Sequence, residues 1–556
     1  MPVSNADPGV SNLVDEWMDF NLLAVDEALQ QVLARDGVAA FAGALDHYGQ
    51  LLGQAQSWRL AERCNRHAPE LQQFDARGRR IDRVEYHPDW HALMRMQREQ
   101  GLIALPFAST QPGRWLAWAA GFYLHGQVEQ GTLCPATMTT AAIPVLQKEP
   151  ALWRQLREPL YASAYDERDL PLEDKRSIWV GMGMTEMQGG SDVRANTSTA
   201  TAVAGGGRGG EYRLDGHKWF FSAPMSDAHL VVARAAPDGG HACFWVPRWR
   251  PDGGRNGVRI LRLKDKVGNR SNASVEVEFD AAYALMLGEE GRGIPTILEM
   301  ASHTRLNCVL GSAAMLRSAT AQAIHYARRR QAFGRPLAEQ PLMRTVLADL
   351  ALESEAALQL AMHLAACYEL DTQGHALARA YKRIMTPAAK FWVCKRAVEA
   401  TGEAMEALGG NGYVRDSVMA RLFCEAPVNS IWEGSGNIMC LDVLRALARD
   451  GAAAQLLLRD LAEMAAGDAP LAALAPSLAR RLARPADALQ GQARRLVQDL
   501  VLLAQAGLMR QQAPQAVADA FIATRLGGAA GAMVMGAWTP DTVDTEAILR
   551  RALPEI

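Results

Sequence analysis

The sequence predicts an α+β protein of several domains, with a strand-rich block set between two helical ones. Residues 1–178 place apolar side chains at three- and four-residue spacing, as in VDEALQQVLARDGVAAFAGALDHYGQLLGQAQ, which is the period of an amphipathic helix. Residues 179–285 change texture. EYRLDGHKWFFS, AHLVVARAA, ACFWVPRW, GVRILRLKD and ASVEVEFD are short alternating or aromatic runs parted by Gly, Pro and Asp. They read as antiparallel strands of a small barrel or sandwich. The helical period then returns over 286–446, a four-helix bundle, and continues through an alanine-rich helical extension at 447–556.

Each block has one feature that tests this division. In the first helical block FDARGRRIDRVEYHPDW carries the Gly turn and alternation of a hairpin. In the strand block GGGRGG (205–210) invites a phosphate-loop reading, but neither a strand-to-helix context nor a following Lys-Ser/Thr supports it, so a hairpin tip is expected. In the extension from 446 onward, 11 Arg face 11 Asp and Glu, so that block carries no net charge to attract nucleic acid.

Composition narrows the function classes. A chain of 556 residues exceeds one small core, and its 49% hydrophobic and 21% charged content is ordinary for a soluble protein. Net charge −3 gives no global pull toward nucleic acid or anionic lipid. Eight scattered cysteines form no C-x-x-C pair and no Cys/His cluster, which argues against a zinc site or a disulfide framework and fits a reducing cytoplasm. The N-terminus has acids where a signal peptide has a basic and then an apolar run. No stretch reaches the roughly 18–20 apolar residues that span a bilayer, so no membrane partner is expected.

Five stretches hold candidate chemistry. GMGMTEMQGGSDV (181–193) gathers Thr185, Glu186, two glycines, Ser191 and Asp192; it is either a plain capped loop or a backbone that approaches a flat or anionic ligand. GHKWFFSAP (216–224) ends in three aromatics and Ser222. Trp219 is expected in the core, and at least one neighbour must face outward, because alternate strand residues point to opposite faces. RRRQAFGRP (328–336) clusters Arg328, Arg329, Arg330 and Arg335 around Phe333-Gly334, as a solvated helix end or a diphosphate clamp. LGGNGY (408–413) and IWEGSGN (431–437) are glycine turns flanked by aromatics. Glu433 in the second is a solvated cap unless it lies beside a cofactor in a dry pocket, where desolvation would make it a useful base.

In this order, together with LKDKVGNRSNAS (263–274) and GEEGRG (288–293), these stretches resemble the acyl-CoA dehydrogenase family of flavoproteins over about residues 180–445. FDARGRRIDRVEYHPDWH, GTLCPATMT, PVNSIWEGSGNIMCLDVLR and the C-terminal extension are similar to a branch of that family tied to the bacterial response to DNA alkylation. The resemblance implies a homotetramer holding FAD. Met184, Thr185 and Ser191 would line its pyrimidine side; Phe220 and Phe221 would lie by the ring, with Ser222 near N5. Arg330, Phe333 and Gly410 would reach the FAD of a neighbouring subunit. Trp432, Gly434, Ser435 and Asn437 would close the pocket around Glu433, the implied base that takes the α-proton of an acyl thioester while a hydride leaves the β-carbon. Some relatives carry the base just before the arginine of an earlier helix. Here that pair is Thr304-Arg305, which leaves Glu433 as the base and Arg305 at the substrate.

Two positions depart from the pattern. Ser302 stands where relatives have an Asp that helps hold CoA, and Glu406 stands where many have a glutamine near FAD. The branch likeness implies a second partner, double-stranded DNA, bound through the C-terminal region with Arg445 and Arg525 as the residues to test.

Overall fold

A computed structural model describes residues 12–35, 37–235, 239–526, 534–537 and 543–554. The first helical block contains the expected hairpin, β1 (Glu70–Phe74) against β2 (Arg80–Glu85). Two of its helices, Arg114–Val128 and Leu133–Leu146, are apolar on nearly every face and almost wholly buried. A helix without a polar face has to lie in the middle of a protein. These two lie against the long helix Gly293–Arg329 and tie the first block to the bundle.

The strand block is β3 (Val180–Gly183), β4 (Thr199–Ala202), β5 (Glu211–Ser222), β6 (Ala228–Ala235), β7 (His241–Pro247), β8 (Val258–Leu263) and β9 (Ser274–Leu287). Its order is β3-β6-β4-β5-β9-β7, and β7 pairs back onto β6, closing a five-stranded ring with β3 and β8 on its flanks. The expectation of a purely antiparallel sheet needs correction, because β3 and β4 both run parallel to β6. In the chain β4 and β5 come between β3 and β6, and β5 between β4 and β6, so neither parallel pair is joined by a tight hairpin. GGGRGG does form the tip between the antiparallel β4 and β5. Tyr212, Phe221, Phe244, Val275 and Val277 fill the barrel.

A register shift between Lys218 and Phe221 where β5 meets β9 re-aims the three aromatics. Trp219 was expected in the core but stands at its edge, with the Lys264 ammonium 3.6 Å from its ring. Phe221 takes the core position instead, stacked on His229 at 3.8 Å.

The bundle comprises Gly293–Arg329, Pro341–Thr372, Thr386–Ala407 and Val418–Ile431, followed by Gly436–Arg449. A single wide π-type turn, Tyr381–Met385, interrupts its third member just before Thr386. The extension adds further helices, among which Ala493–Gln512 packs across Pro341–Thr372 and Thr386–Ala407. Among the described residues no helix is long and apolar enough to cross a membrane.

Candidate functional site

The cleft lies where the open end of β5, the helix Leu133–Leu146 and the start of Gly436–Arg449 converge. Cys134, Met138 and Ala223 form a small apolar cluster there, with Met182 and Trp432 packed on it. The loop after β3 is pinned to the barrel by a fully buried ion pair, Glu186 Oε1 to Lys218 Nζ at 2.7 Å. Glu186 also accepts from the Thr197 amide at 2.7 Å, and Asn196 donates to the Met184 carbonyl at 2.8 Å. Such pins hold Met184 and Thr185, both half-buried, at the cleft wall, while Ser191 stands exposed at its rim. A Cβ on Gly190 would come within 2.5 Å of Thr185 Oγ1, so a larger residue there would displace the Thr185 hydroxyl.

Glu433 sits on an elbow between two helices, with φ 60° where only glycine is comfortable. Three contacts impose that geometry. Arg305 Nε donates to the Glu433 carbonyl at 3.2 Å, Lys390 Nζ donates to the Gly434 carbonyl at 2.8 Å, and Arg305 is itself held by Asp442 at 2.7 Å. Arg383, delivered by the π-type turn, grips the same Asp442 at 2.9 Å. Glu433 as a residue is half-buried. Its Oε2 accepts one hydroxyl, Thr304 Oγ1, at 2.6 Å. Dehydration by the surrounding protein raises the pKa of its carboxyl; the Thr304 hydrogen bond and the charges of Lys390 and Arg305 pull the other way. Asp442, with two guanidinium partners, is held below the usual carboxylate range despite its burial. The cleft therefore contains one carboxylate primed to accept a proton and one kept ionised as a strut.

Several expected site residues gather at this cleft. Phe220 is 50% exposed at its lip, and Ser222 Oγ meets Ser274 Oγ at 2.9 Å. Trp432 donates through Nε1 to Asn429 at 3.0 Å, and Ser435 and Asn437 open the helix Gly436–Arg449 with exposed side chains. Gly434 continues the elbow at φ 102°. Phe221 does not belong with them, since it is 2% exposed inside the barrel. Arg305 is turned inward, its guanidinium spent on Asp442 and the elbow, so it supports the base and does not face a ligand. Ser302 donates back to the Glu299 carbonyl within its own helix, and Glu406 is exposed.

Arg330, Phe333 and Gly410 lie away from the cleft. Phe333 is 97% exposed at φ 52°, at the tip of a two-rung hairpin, and Gly410 opens an exposed turn beside Tyr413, itself 78% exposed. Arg330 donates to the Asn12 carbonyl. The two residues expected to meet DNA part company. Arg445 is exposed. Arg525 is withdrawn from the surface: its guanidinium pairs with Asp349 and, at 3.2 Å, with Glu353, and 11% of its side chain is accessible.

Sequence reasoning missed Thr304, Lys390, Asp442 and Arg383 as supports of Glu433, and no local motif announces them, because they come from three separate helices. Thr304 alone left a trace, as the residue standing where some relatives carry their base. The cleft as a whole suits a planar ligand that forms hydrogen bonds. It offers apolar walls at Met182, Met184 and Trp432, an aromatic lip at Phe220, hydroxyls at Thr185, Ser191 and Ser222, and a glycine-permitted approach at Gly190. Among the described residues no group of His, Cys, Asp and Glu is arranged to hold a metal ion.

Comparison with known proteins is consistent across the chain. Residues 12–167 match the model of the adaptive response protein AidB N-terminal domain, 181–282 the acyl-CoA dehydrogenase middle domain, and 291–448 its C-terminal domain. The chain is 46% identical over 503 residues to AidB of Escherichia coli (strain K12), covering 90% of this chain and 91% of that protein. Caenorhabditis elegans ACDH-11 in complex with C11-CoA superposes with a TM-score of 0.84 at 23% identity, over 99% of this chain and 93% of that one. An acyl-CoA dehydrogenase complexed with FAD from Bacillus anthracis gives 0.68 at 17% identity, over 91% and 89%.

Proposed function

This chain belongs to the acyl-CoA dehydrogenase family, and from that premise we propose that it binds FAD in the cleft and that Glu433 takes the α-proton of a short or branched acyl thioester. The observation that carries the reading is the state of Glu433: dehydrated, half-buried at the cleft, partnered by a hydroxyl and, among the described residues, by no cation within ion-pairing distance. A base of this kind gains proton affinity without losing access to its substrate.

FAD fits the residues present, and when bound it supplies the acceptor for the hydride that leaves the β-carbon. Met184, Thr185, Ser191, Phe220, Ser222 and Trp432 would hold it. Phe333, Arg330 and Gly410, exposed and remote from this cleft, would serve the FAD of a second copy in a homotetramer.

The chain's own part in the reaction is positional and electrostatic. The elbow fixes the Glu433 carboxyl, because Arg305 and Lys390 hold the two carbonyls on either side of its left-handed turn. The Thr304 hydroxyl donates to Oε2 and favours the carboxylate form, opposing the dehydration that raises the pKa of Glu433. Trp432 and Met138 exclude water, which sharpens every charge interaction within the cleft. Ser302 and Glu406 leave the CoA end with less help than relatives give it, so turnover with CoA thioesters is expected to be slow at low substrate concentration.

Anaerobic addition of isovaleryl-CoA to the FAD-loaded protein tests the proposal. Visible flavin absorbance should bleach in the wild type and persist in Glu433→Gln with FAD still bound. Bleaching that survives in Glu433→Gln would remove Glu433 as the base, and no bleaching with any thioester would remove the dehydrogenase reading.

A further inference from the structure

Beside the cleft stands a half-buried ammonium, Lys266, that the proposed reaction does not use. Ser222 and Ser274 face each other across β5 and β9, and their hydroxyls meet at 2.9 Å. Lys266, from the loop between β8 and β9, places Nζ 3.3 Å from Ser274 Oγ and donates to the Asn272 carbonyl. The three groups form a continuous seam from the loop to the cleft lip.

Nothing in the seam neutralises the lysine. Among the described residues no carboxylate lies within ion-pairing distance of Lys266. Glu425, the acid in its surroundings, gives its oxygens to the Asn269 amide at 2.5 Å and to Asn269 Nδ2 at 2.8 Å. Arg270 adds a like charge, and the Cys134 thiol is pushed up to about 12 by burial, so it stays neutral. Dehydration is the largest influence on Lys266 and, with the Arg270 charge, outweighs the opposing effects of Cys134 and Glu425, bringing its pKa down to about 8. A dehydrated, unpaired ammonium is costly, so its retention beside Ser222 calls for a role.

We propose that Lys266 is a positioning residue that, through Ser274 and Ser222, makes FAD bound in this cleft a stronger electron acceptor. The inference rests on the FAD reading above. Reduced FAD carries more negative charge than oxidised FAD, and a fixed cation aimed at the ring by two hydroxyls favours the more negative form.

The test is the midpoint potential of the FAD-loaded holoprotein, followed by spectroelectrochemistry. Lys266→Met should shift the midpoint to more negative values with FAD still bound, Lys266→Arg should restore it, and Ser274→Ala should give a smaller shift in the same direction. A purely structural lysine, holding the loop through Asn272, would leave the potential unmoved; an unchanged midpoint in a fully loaded Lys266→Met protein overturns the proposal. Should Lys266→Met fail to fold, the wild type provides the second arm. Its midpoint plotted against pH should change slope as Lys266 titrates near pH 8, with Cys134, Glu425 and Arg270 as the surrounding charges, and a straight line overturns the proposal equally. A wild type that takes up no FAD on reconstitution would instead remove the cofactor reading itself, an outcome seen in the spectrum before any potential is measured.

Discussion

The Glu433 elbow and the seam that seats the C-terminal helix use the same residue types to opposite ends. In the seam every carboxylate is answered by an arginine. Arg551 grips both oxygens of Glu355 at 2.7 and 2.8 Å, Arg317 meets Asp26 at 3.2 Å, and Arg525 bridges Asp349 and Glu353. Arg317 and Arg328 also take carbonyls from the end of the helix Thr545–Ala552. At the elbow Lys390 and Arg305 donate to carbonyls, Arg305 and Arg383 pair with Asp442, and the Glu433 carboxylate receives a hydroxyl. The difference teaches how one chain separates stability from reactivity: charges paired side by side fix a fold, while a carboxylate denied its counter-ion stays basic.

The comparison breaks most visibly if Glu433 is neutralised. Glu433→Gln should lower thioester-dependent FAD reduction by roughly 10²–10⁴-fold, with the thermal midpoint little changed; a fall in stability to match the loss of rate would place Glu433 among the structural charges. The mirror experiment is Glu355→Ala, which strands the buried Arg551 and should cost about 3–5 kcal/mol of stability. It is read by denaturant unfolding, with FAD reduction per folded molecule preserved. Arg525→Ala should behave in the same way, and a selective loss of DNA binding without loss of stability would contradict its internal placement.

A finer test removes the hydroxyl that distinguishes Glu433 from a free buried acid. Thr304→Val should disfavour the ionised base by about 1.5–3 kcal/mol and move the rising limb of the pH–rate profile to higher pH. An unmoved profile would mean the 2.6 Å contact does not tune the base.

The smallest effect concerns stability against pH, where the two carboxylates of the cleft have opposite signs. Asp442 is held low in the folded state. Its contribution is therefore present above the unfolded carboxylate value of about 4 and is lost as pH falls through the folded value. Glu433 is held high, so its contribution is full below about 4 and is lost as pH rises through its folded pKa. Asp442→Asn should flatten the acid limb of the stability curve, and Glu433→Gln should flatten the part above it. Calorimetry on both variants across the acid range decides whether the signs are as stated.

Much of this was legible in the sequence. The switch from a 3.6 to a 2.0 period placed the strand block close to β3–β9, since periodicity reports which face of an element meets apolar matter. The glycine turns and the tryptophan–glutamate–glycine string marked the cleft wall, because tight backbone approach demands glycine wherever it occurs. Phe221 and Trp219 exchanged their expected places through a bulge, which depends on the partner strand β9 and leaves no trace in β5 itself. Arg525 looked like a surface arginine until the helix Pro341–Thr372 brought Asp349 and Glu353 to it.

By itself, then, the sequence determined the order of the blocks, the family and Glu433 as the candidate base, because local period, turn chemistry and short motifs are properties of contiguous residues. The tertiary structure alone decided that Thr304 would meet Glu433, that Lys390 would turn to a carbonyl and Arg305 to Asp442 and a carbonyl, and that Lys266 would stand beside Ser274 without a carboxylate partner among the described residues. Those outcomes turn on distances of about 3 Å between residues tens to more than a hundred positions apart in the chain, and charge effects of this kind fall off too steeply with separation and solvent for any local pattern to encode them.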